Sequence, residues 1–246
     1  MNRKRPKIVG IIPARYQSSR LPGKPLKDIC GKPMIWWVYQ QVKKVAEIDE
    51  VFVATDNEKI EEVCKNYEMS VIMTKDNHPT HIHRLQEVSD KIKSDLYLCI
   101  CGDEPLIEPN IISKAIPQNY NNEYIVSNLI REFKEPTEVV DPGNIKVTTN
   151  NDGFIVALSR SPIPFPYKTI QYKFKKIVGV ECYNKRALDF FVSKNQGAVE
   201  KIEDVTLLRF LENHIKIKST LVDSESLSVD TERDLEKVRK IISERN

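Results

Sequence analysis

Four short apolar runs, Ile8 to Ile12, Val51 to Ala54, Val71 to Met73 and Leu96 to Ile100, alternate with stretches of helical periodicity, and that alternation restricts the chain more than any other feature. Runs of this length, bounded by polar residues, read as buried strands. The intervening stretches predict helices over Met34 to Val45, with a stripe of Met34, Trp37, Val38, Gln41 and Val42, from a cap at Thr55 or Asn57 through Cys64, and over Arg84 to Ile92. Strands handed on to helices by short connections build a parallel sheet covered on both faces. The expected fold class is α/β: a doubly wound, mostly parallel sheet.

From Asn128 to Tyr183 the pattern changes. Strand-like segments Ile145 to Thr149, Phe154 to Leu158 and Ile177 to Cys182 are separated by Asp141-Pro142-Gly143, by Asn150-Asn151-Asp152-Gly153 and by the proline-rich Pro162 to Tyr167. This predicts three parts: residues 1–127, an α/β core; 128–183, a smaller strand-rich insert; and 184–246, a return to the core. In the last part helices are expected over Lys185 to Val192, Val205 to Asn213 and Thr231 to Glu244, with a strand near Ile215 to Leu221.

The loop after the first strand carries Arg15, Arg20 and Lys24, punctuated by Pro22, Gly23 and Pro25. A nucleoside triphosphate carries about four negative charges, and a pair of unit charges at about 4 Å is worth about 4 kcal/mol at an effective dielectric near 20, so holding one takes several cations placed together. Loop N–H groups at the C-terminal edge of a sheet add anion-binding donors. The G-x-x-x-x-G-K-S/T pattern is absent, which disfavours a P-loop. Asp103 follows directly on a buried strand, at the edge where open α/β sheets keep their ligands. A carboxylate there suits Mg²⁺ coordinated together with phosphate oxygens, or else serves as a cap or Asx turn before Pro105.

Composition excludes several classes. A net charge of +3 and the lack of a basic stripe interleaved with aromatics argue against nucleic-acid binding; the short basic Arg3-Lys4-Arg5 reads as a solvated tail. No run approaches the roughly 18 apolar residues that span a bilayer, so a cytoplasmic protein without a membrane partner is expected. The five cysteines, Cys30, Cys64, Cys99, Cys101 and Cys182, lack C-x-x-C spacing and imply no disulfide framework. Cys99 and Cys101 share one strand face, near the expected site.

The order Ala14-Arg15-Tyr16, Ser18-Ser19-Arg20-Leu21-Pro22-Gly23-Lys24-Pro25 resembles the signature of the acidic-sugar cytidylyltransferases, most closely the 3-deoxy-manno-octulosonate (Kdo) cytidylyltransferase family. Gly102-Asp103-Glu104-Pro105-Leu106-Ile107, Ser159-Arg160-Ser161-Pro162-Ile163-Pro164 and Val229-Asp230-Thr231 extend the resemblance along the chain. It implies a Rossmann-like nucleotide-diphosphosugar transferase fold and transfer of CMP from CTP to a small acidic acceptor, with release of pyrophosphate. It further implies Mg²⁺ held by Asp103 and Asp230, catalysis by Arg15, Arg20, Lys24 and Asp103, nucleotide binding by the 1–127 core, an acceptor and dimer lobe in the 128–183 insert, and a homodimer. The nucleotide set it implies is Ala14, Arg15, Ser18, Lys24, Arg84, Cys101, Gly102 and Asp103.

The chain departs from this pattern where ligands are read. Thr80-His81-Ile82-His83-Arg84 replaces the family's S-G-T-D-R, and Cys101 replaces its Gln. On the acceptor side Ile177 takes a His position, and Thr206 and Leu207 take Glu and Gln positions; Arg160 and Lys146 remain as candidate anchors for an acceptor anion. Loss of those hydroxyl partners predicts weak use of Kdo itself and a smaller or less hydroxylated acid, such as another sugar acid or a phosphonate. His78, His81 and His83 fit no common zinc spacing; they line the nucleotide pocket or lie exposed. A non-catalytic nucleotide-binding relative and a transferase using UTP or GTP are the alternatives. The five retained charges Arg15, Arg20, Lys24, Asp103 and Asp230 argue against the first, and the A-R-Y loop argues against the second.

Overall fold

The structure is a computed structural model that describes residues 5–18, 20–120, 123–169 and 171–245. Ser19 of the loop motif and Arg3 and Lys4 of the basic tail lie outside the described residues. Arg5 donates to the Glu47 carbonyl and pairs with Asp49.

In chain order the strands are β1 (Ile8–Ala14), β2 (Asp28–Ile29), β3 (Lys32–Pro33), β4 (Glu50–Thr55), β5 (Val71–Met73), β6 (Leu96–Ile100), β7 (Val126–Glu132), β8 (Lys146–Thr149), β9 (Ile155–Ser159), β10 (Lys175–Tyr183) and β11 (Lys218–Leu221). The helices are α1 (Met34–Lys43), α2 (Glu58–Asn66), α3 (His81–Lys91), α4 (Pro109–Ile112), α5 (Pro136–Val140), α6 (Lys185–Ser193), α7 (Ala198–Glu203), α8 (Leu208–Glu212) and α9 (Glu232–Arg245). The main sheet runs β11-β7-β10-β6-β1-β4-β5, with β8 added to β10 and β9 to β8. The β1–β4, β1–β6, β4–β5 and β7–β11 pairs are parallel, while β10 runs antiparallel to both β6 and β7. The α/β, mostly parallel expectation holds.

Strand alternation splits the core in two. Ile8 and Ile12 pack with Val38, Val42, Leu98, Ile100 and Val180 on one face. Val9 and Ile11 pack with Leu85, Val88, Cys99, Phe191 and Phe210 on the other. A third cluster seats α9: Leu235, Val238 and Ile242 pack with Val229, with Leu21 of the cationic loop and with Leu106 just beyond Asp103. Each such buried side chain contributes about 1.5–3 kcal/mol.

Several elements differ from the sequence reading. The 127/128 boundary falls inside β7, and β7 and β10 lie in the main run of the sheet; only β8–β9 branches from that run, paired through β10. α3 begins at His81, because the Thr80 side chain accepts from the His83 N–H and caps it, so the expected loop through His83 ends earlier. In α1 Ile35 and Tyr39 face the core; Trp37 is only partly buried and donates its indole N–H to the Ile29 carbonyl at 2.9 Å. The expected helix over Val205 to Asn213 is shorter, forming only at α8, and a separate α7 that the sequence reading did not include precedes it, ending where Asp204 takes a left-handed conformation (φ 49°).

Candidate active site

β1 delivers Ala14 to the C-terminal edge of the sheet, and the loop beyond it folds back through a hydrogen bond from the Gly23 N–H to the Tyr16 carbonyl at 3.0 Å. Gly23 has φ 66°, a conformation that glycine adopts without cost. Lys24 is thereby placed over the end of β6, where its Nζ donates to Asp103 Oδ2 at 2.7 Å and to Asp230 Oδ1 at 3.2 Å. Arg20 reaches the same Asp230 oxygen at 3.0 Å. Two carboxylates 127 residues apart therefore meet around one ammonium (230 minus 103). The third cluster explains how: Val229 is buried beside Leu106, and its N–H donates to the Asp103 carbonyl at 2.9 Å. Burial opposes the Lys24 charge, but Asp103 and Asp230 outweigh it and hold the lysine pKa above its ordinary value.

A cavity of about 380 Å³ opens here, lined by Ala14, Arg15, Ser18, Lys24, Cys101, Gly102, Asp103 and His81 among others. Seven of the eight expected nucleotide residues line it. Arg84 does not: it is fully buried, with one nitrogen on Asp56 at 2.6 Å, another on the Thr74 hydroxyl, and its Nε without a partner. It acts on the site through charge. Burial and Arg84 together pull the Arg15 pKa down, partly offset by Asp56. Arg15 also donates to the His78 carbonyl at 2.5 Å.

An adjoining cavity of about 240 Å³ shares His81, Cys101 and Asp103 with the first and adds Glu104, Arg131, Asn144, Lys176, Ile177, Glu181, Thr206, Leu207, Ser226 and Asp230. Because β10 is antiparallel to β6, with Val180 opposite Ile100, its first residues overhang the sheet edge where β6 ends. Gly179 makes this approach possible, since a Cβ there would stand 2.9 Å from the Cys101 Cβ. Cys101 lines both cavities, as do His81 and Asp103.

Ile177, Thr206 and Leu207 line the second cavity. Arg160 and Lys146 do not, which corrects their reading as anchors. Lys146 is buried with Nζ donating to the carbonyls of Asp141, Asn144 and Arg160, and Arg160 donates to those of Pro142, Glu203 and Asp204. Backbone carbonyls have consumed both cations.

His81 Nε2 lies 2.9 Å from Glu181 Oε2, which also accepts from the Tyr183 hydroxyl at 2.7 Å. Burial works against the Glu181 carboxylate, but His81 and these hydrogen bonds pull its pKa below the ordinary value. The His81, Cys99 and Glu181 ligand atoms lie within 4.8 Å of one another. Burial and adjacent Asp103 push the Glu104 carboxyl up to about 7, and the Ser226 hydroxyl donates to it. His78 pairs with Glu87 at 2.5 Å, and His83 meets Phe191 edge to face; of the three, only His81 lines the cavities. Sequence reasoning missed Arg131, Lys176, Glu181 and Ser226. Lys176 and Glu181 bracket the Ile177 segment, and their charge in an otherwise apolar strand was the available signal.

Among the described residues no helix is long and apolar enough to cross a membrane. A cytidylyltransferase family model matches residues 9–217. The 3-deoxy-manno-octulosonate cytidylyltransferase of Escherichia coli is 35% identical over 97% of this chain and 97% of its own length. That of Aliivibrio fischeri strain MJ11 is 39% identical, covering 95% of this chain and 98% of the relative. A solved structure of CMP:2-keto-3-deoxy-manno-octonic acid synthetase complexed with CTP superposes with a TM-score of 0.91 at 35% identity, covering 98% of this chain and all of that one. The chain belongs to the cytidylyltransferase family and, within it, to the 3-deoxy-manno-octulosonate cytidylyltransferases.

Proposed function

We propose that the protein transfers CMP from CTP to 3-deoxy-manno-octulosonate or a closely related sugar acid, releasing pyrophosphate, as a Mg²⁺-dependent cytoplasmic homodimer. The observation that carries this reading is the meeting of Asp103 and Asp230 on the Lys24 ammonium at the mouth of the cationic β1 loop. Hard carboxylate oxygens that already converge on one positive charge fit a magnesium ion, and Asp103 and Asp230 are the residues that would hold it. Bound there, magnesium would supply charge neutralisation to the phosphates and acidify the attacking hydroxyl.

The chain's own groups do the rest. The acceptor hydroxyl attacks the α-phosphorus, a new P–O bond forms, the bond to the bridging oxygen of pyrophosphate breaks, and the hydroxyl proton passes to solvent. Lys24, Arg15 and Arg20 neutralise the triphosphate and the departing pyrophosphate, so positioning and charge stabilisation account for the rate. Gly102 keeps the floor flat, since a Cβ there would stand 3.2 Å from the Pro13 carbonyl. Phe165 and Tyr167, 80% and 88% exposed, give the proline-rich segment an apolar face for a second copy.

A pyrophosphate-release assay crossing CTP, UTP, GTP and ATP with Kdo, other sugar acids and phosphonates, with and without Mg²⁺, tests the chemistry; sedimentation tests the dimer. Turnover confined to CTP with Kdo and Mg²⁺ is expected, and inactivity with CTP on every acid overturns the reading. The apolar Ile177 and Leu207 lining the acceptor cavity favour a second reading, a less hydroxylated acid with the same nucleotide.

A further inference from the structure

In the antiparallel pairing of β10 with β7, Lys176 stands opposite Arg131, and in the pairing of β10 with β8 it stands opposite Lys146. Opposed residues project from the same face of a sheet, so three cations run in a row across three neighbouring strands. Like charges opposed in this way destabilise a sheet unless each is compensated.

The compensation is uneven. Lys146 is saturated by its three carbonyls, at 2.7, 2.9 and 2.5 Å. Arg131, with 11% of its side chain exposed, meets Glu138 at 3.4 Å and otherwise donates to the Glu132 carbonyl. The Lys176 ammonium donates to the neutral amide oxygen of Asn144 at 2.5 Å. Burial and the Arg131 charge pull the Lys176 pKa down, with Glu138, Glu104 and Asp141 offsetting part of that. Arg131, Lys176 and Asn144 line the acceptor cavity, whose other charged lining groups include Asp103, Glu104, Glu181 and Asp230. One wall of an otherwise acidic cavity is thus cationic and under-neutralised.

We infer that Arg131 and Lys176 form an anion subsite that holds the carboxylate of the acceptor acid. The identification of the anion as the acceptor's carboxylate rests on the proposed function; the subsite itself rests on the cation row. A guanidinium presents a planar fork that matches a carboxylate, and the adjacent ammonium supplies the second charge. Charge-assisted hydrogen bonds of this kind shift binding by roughly 10- to 100-fold each.

The test uses the whole protein with Arg131→Ala, Lys176→Met and the charge-conserving Lys176→Arg. Kdo is compared with its carboxamide at saturating CTP. In Arg131→Ala and Lys176→Met the acceptor KM rises roughly 10- to 100-fold on the acid, the preference for acid over carboxamide disappears, and the KM for CTP stays within about twofold. Lys176→Arg keeps the preference. An acid preference that survives in both charge-removing variants overturns the subsite. Saturation-transfer NMR with pyruvate, a minimal 2-oxo acid, needs no turnover. Pyruvate is expected to bind wild type and Lys176→Arg and to be lost from the other two; no binding to wild type, or equal binding to all four, overturns the subsite. Wild type that binds pyruvate in this pattern yet turns over no acid refutes the proposed activity and leaves the subsite standing.

Discussion

The cavity proposed for the nucleotide and the cavity proposed for the acceptor share Asp103, His81 and Cys101, yet they are built in opposite ways. The first is mostly one loop: Ala14, Arg15, Ser18 and Lys24 come from eleven consecutive residues (14 to 24), joined by the turn after β6. The second is gathered from β7, β10, the segment before α8 and the segment before α9. A contiguous loop keeps its geometry through local hydrogen bonds, whereas a gathered cavity depends on the packing of every element that contributes a wall. The difference teaches where function and stability are coupled.

Asp103→Asn probes the local side and carries the largest expected effect. Turnover should fall about 10³-fold or more, with the melting temperature little changed, because the lost charge acts in the transition state; a rate within tenfold of wild type would break the contrast. On the gathered side the corresponding change is structural. Arg209 makes a bidentate pair with Glu200 at 2.7 and 2.8 Å, its side chain 2% exposed, and its third nitrogen donates to the Phe191 and Lys194 carbonyls. It ties α6, α7 and α8 together behind Thr206 and Leu207. Arg209→Ala leaves Glu200 buried and unpaired, so a loss of about 3–5 kcal/mol is expected by chemical denaturation, with acceptor KM rising before CTP KM does.

Lys146→Met sharpens the comparison further. With three carbonyls left unsatisfied it should cost about 2–3 kcal/mol of stability while the acceptor KM moves less than about threefold, the reverse of what an anchoring residue would do. The smallest effect is on pH. Burial, then the charges of Arg209 and His78, pull the His83 pKa from 6.5 down to about 4. The unfolded chain therefore binds the extra proton between those values, and stability rises with pH through that window. For a half-exposed ring the amplitude is on the order of 1–2 kcal/mol. Replacing His83 with Asn should flatten that part of the stability profile; an unchanged slope between pH 4 and 6.5 would rule out this assignment.

The same division decided what the chain revealed before its fold was known. β1, β4, β5 and β6 were legible because each is a short apolar run, fully buried in β6 and nearly so in β1, and even at the sheet edge β5 keeps three apolar residues in a row; the loop from Ala14 to Lys24 was legible because its glycine and prolines fix its shape locally. β7 was absorbed into a supposed insert, because Asn128 and Arg131 interrupt its apolar run; Asn128 is nonetheless fully buried, accepting from the Ser219 hydroxyl at 2.6 Å. Arg160 and Lys146 looked like anchors because a sequence shows charge but not the carbonyls that satisfy it. Arg84 failed for the same reason, its partners being Asp56 and Thr74. The closure of Asp230 onto Asp103 depends on Val229, Leu235 and Leu106 packing across more than a hundred residues of chain, a long-range consequence of hydrophobic burial that no local pattern encodes.

Gly179 has a consequence for how the two substrates can evolve. Its missing methyl lets one backbone press against Cys101, a side chain that lines both cavities together with His81 and Asp103. Any enlargement of that side chain intrudes on both chambers at once, and any methyl at 179 pushes it the other way. A change at this spot therefore alters both cavities at once, whereas β7 and the segment before α8 line only the one proposed for the acceptor.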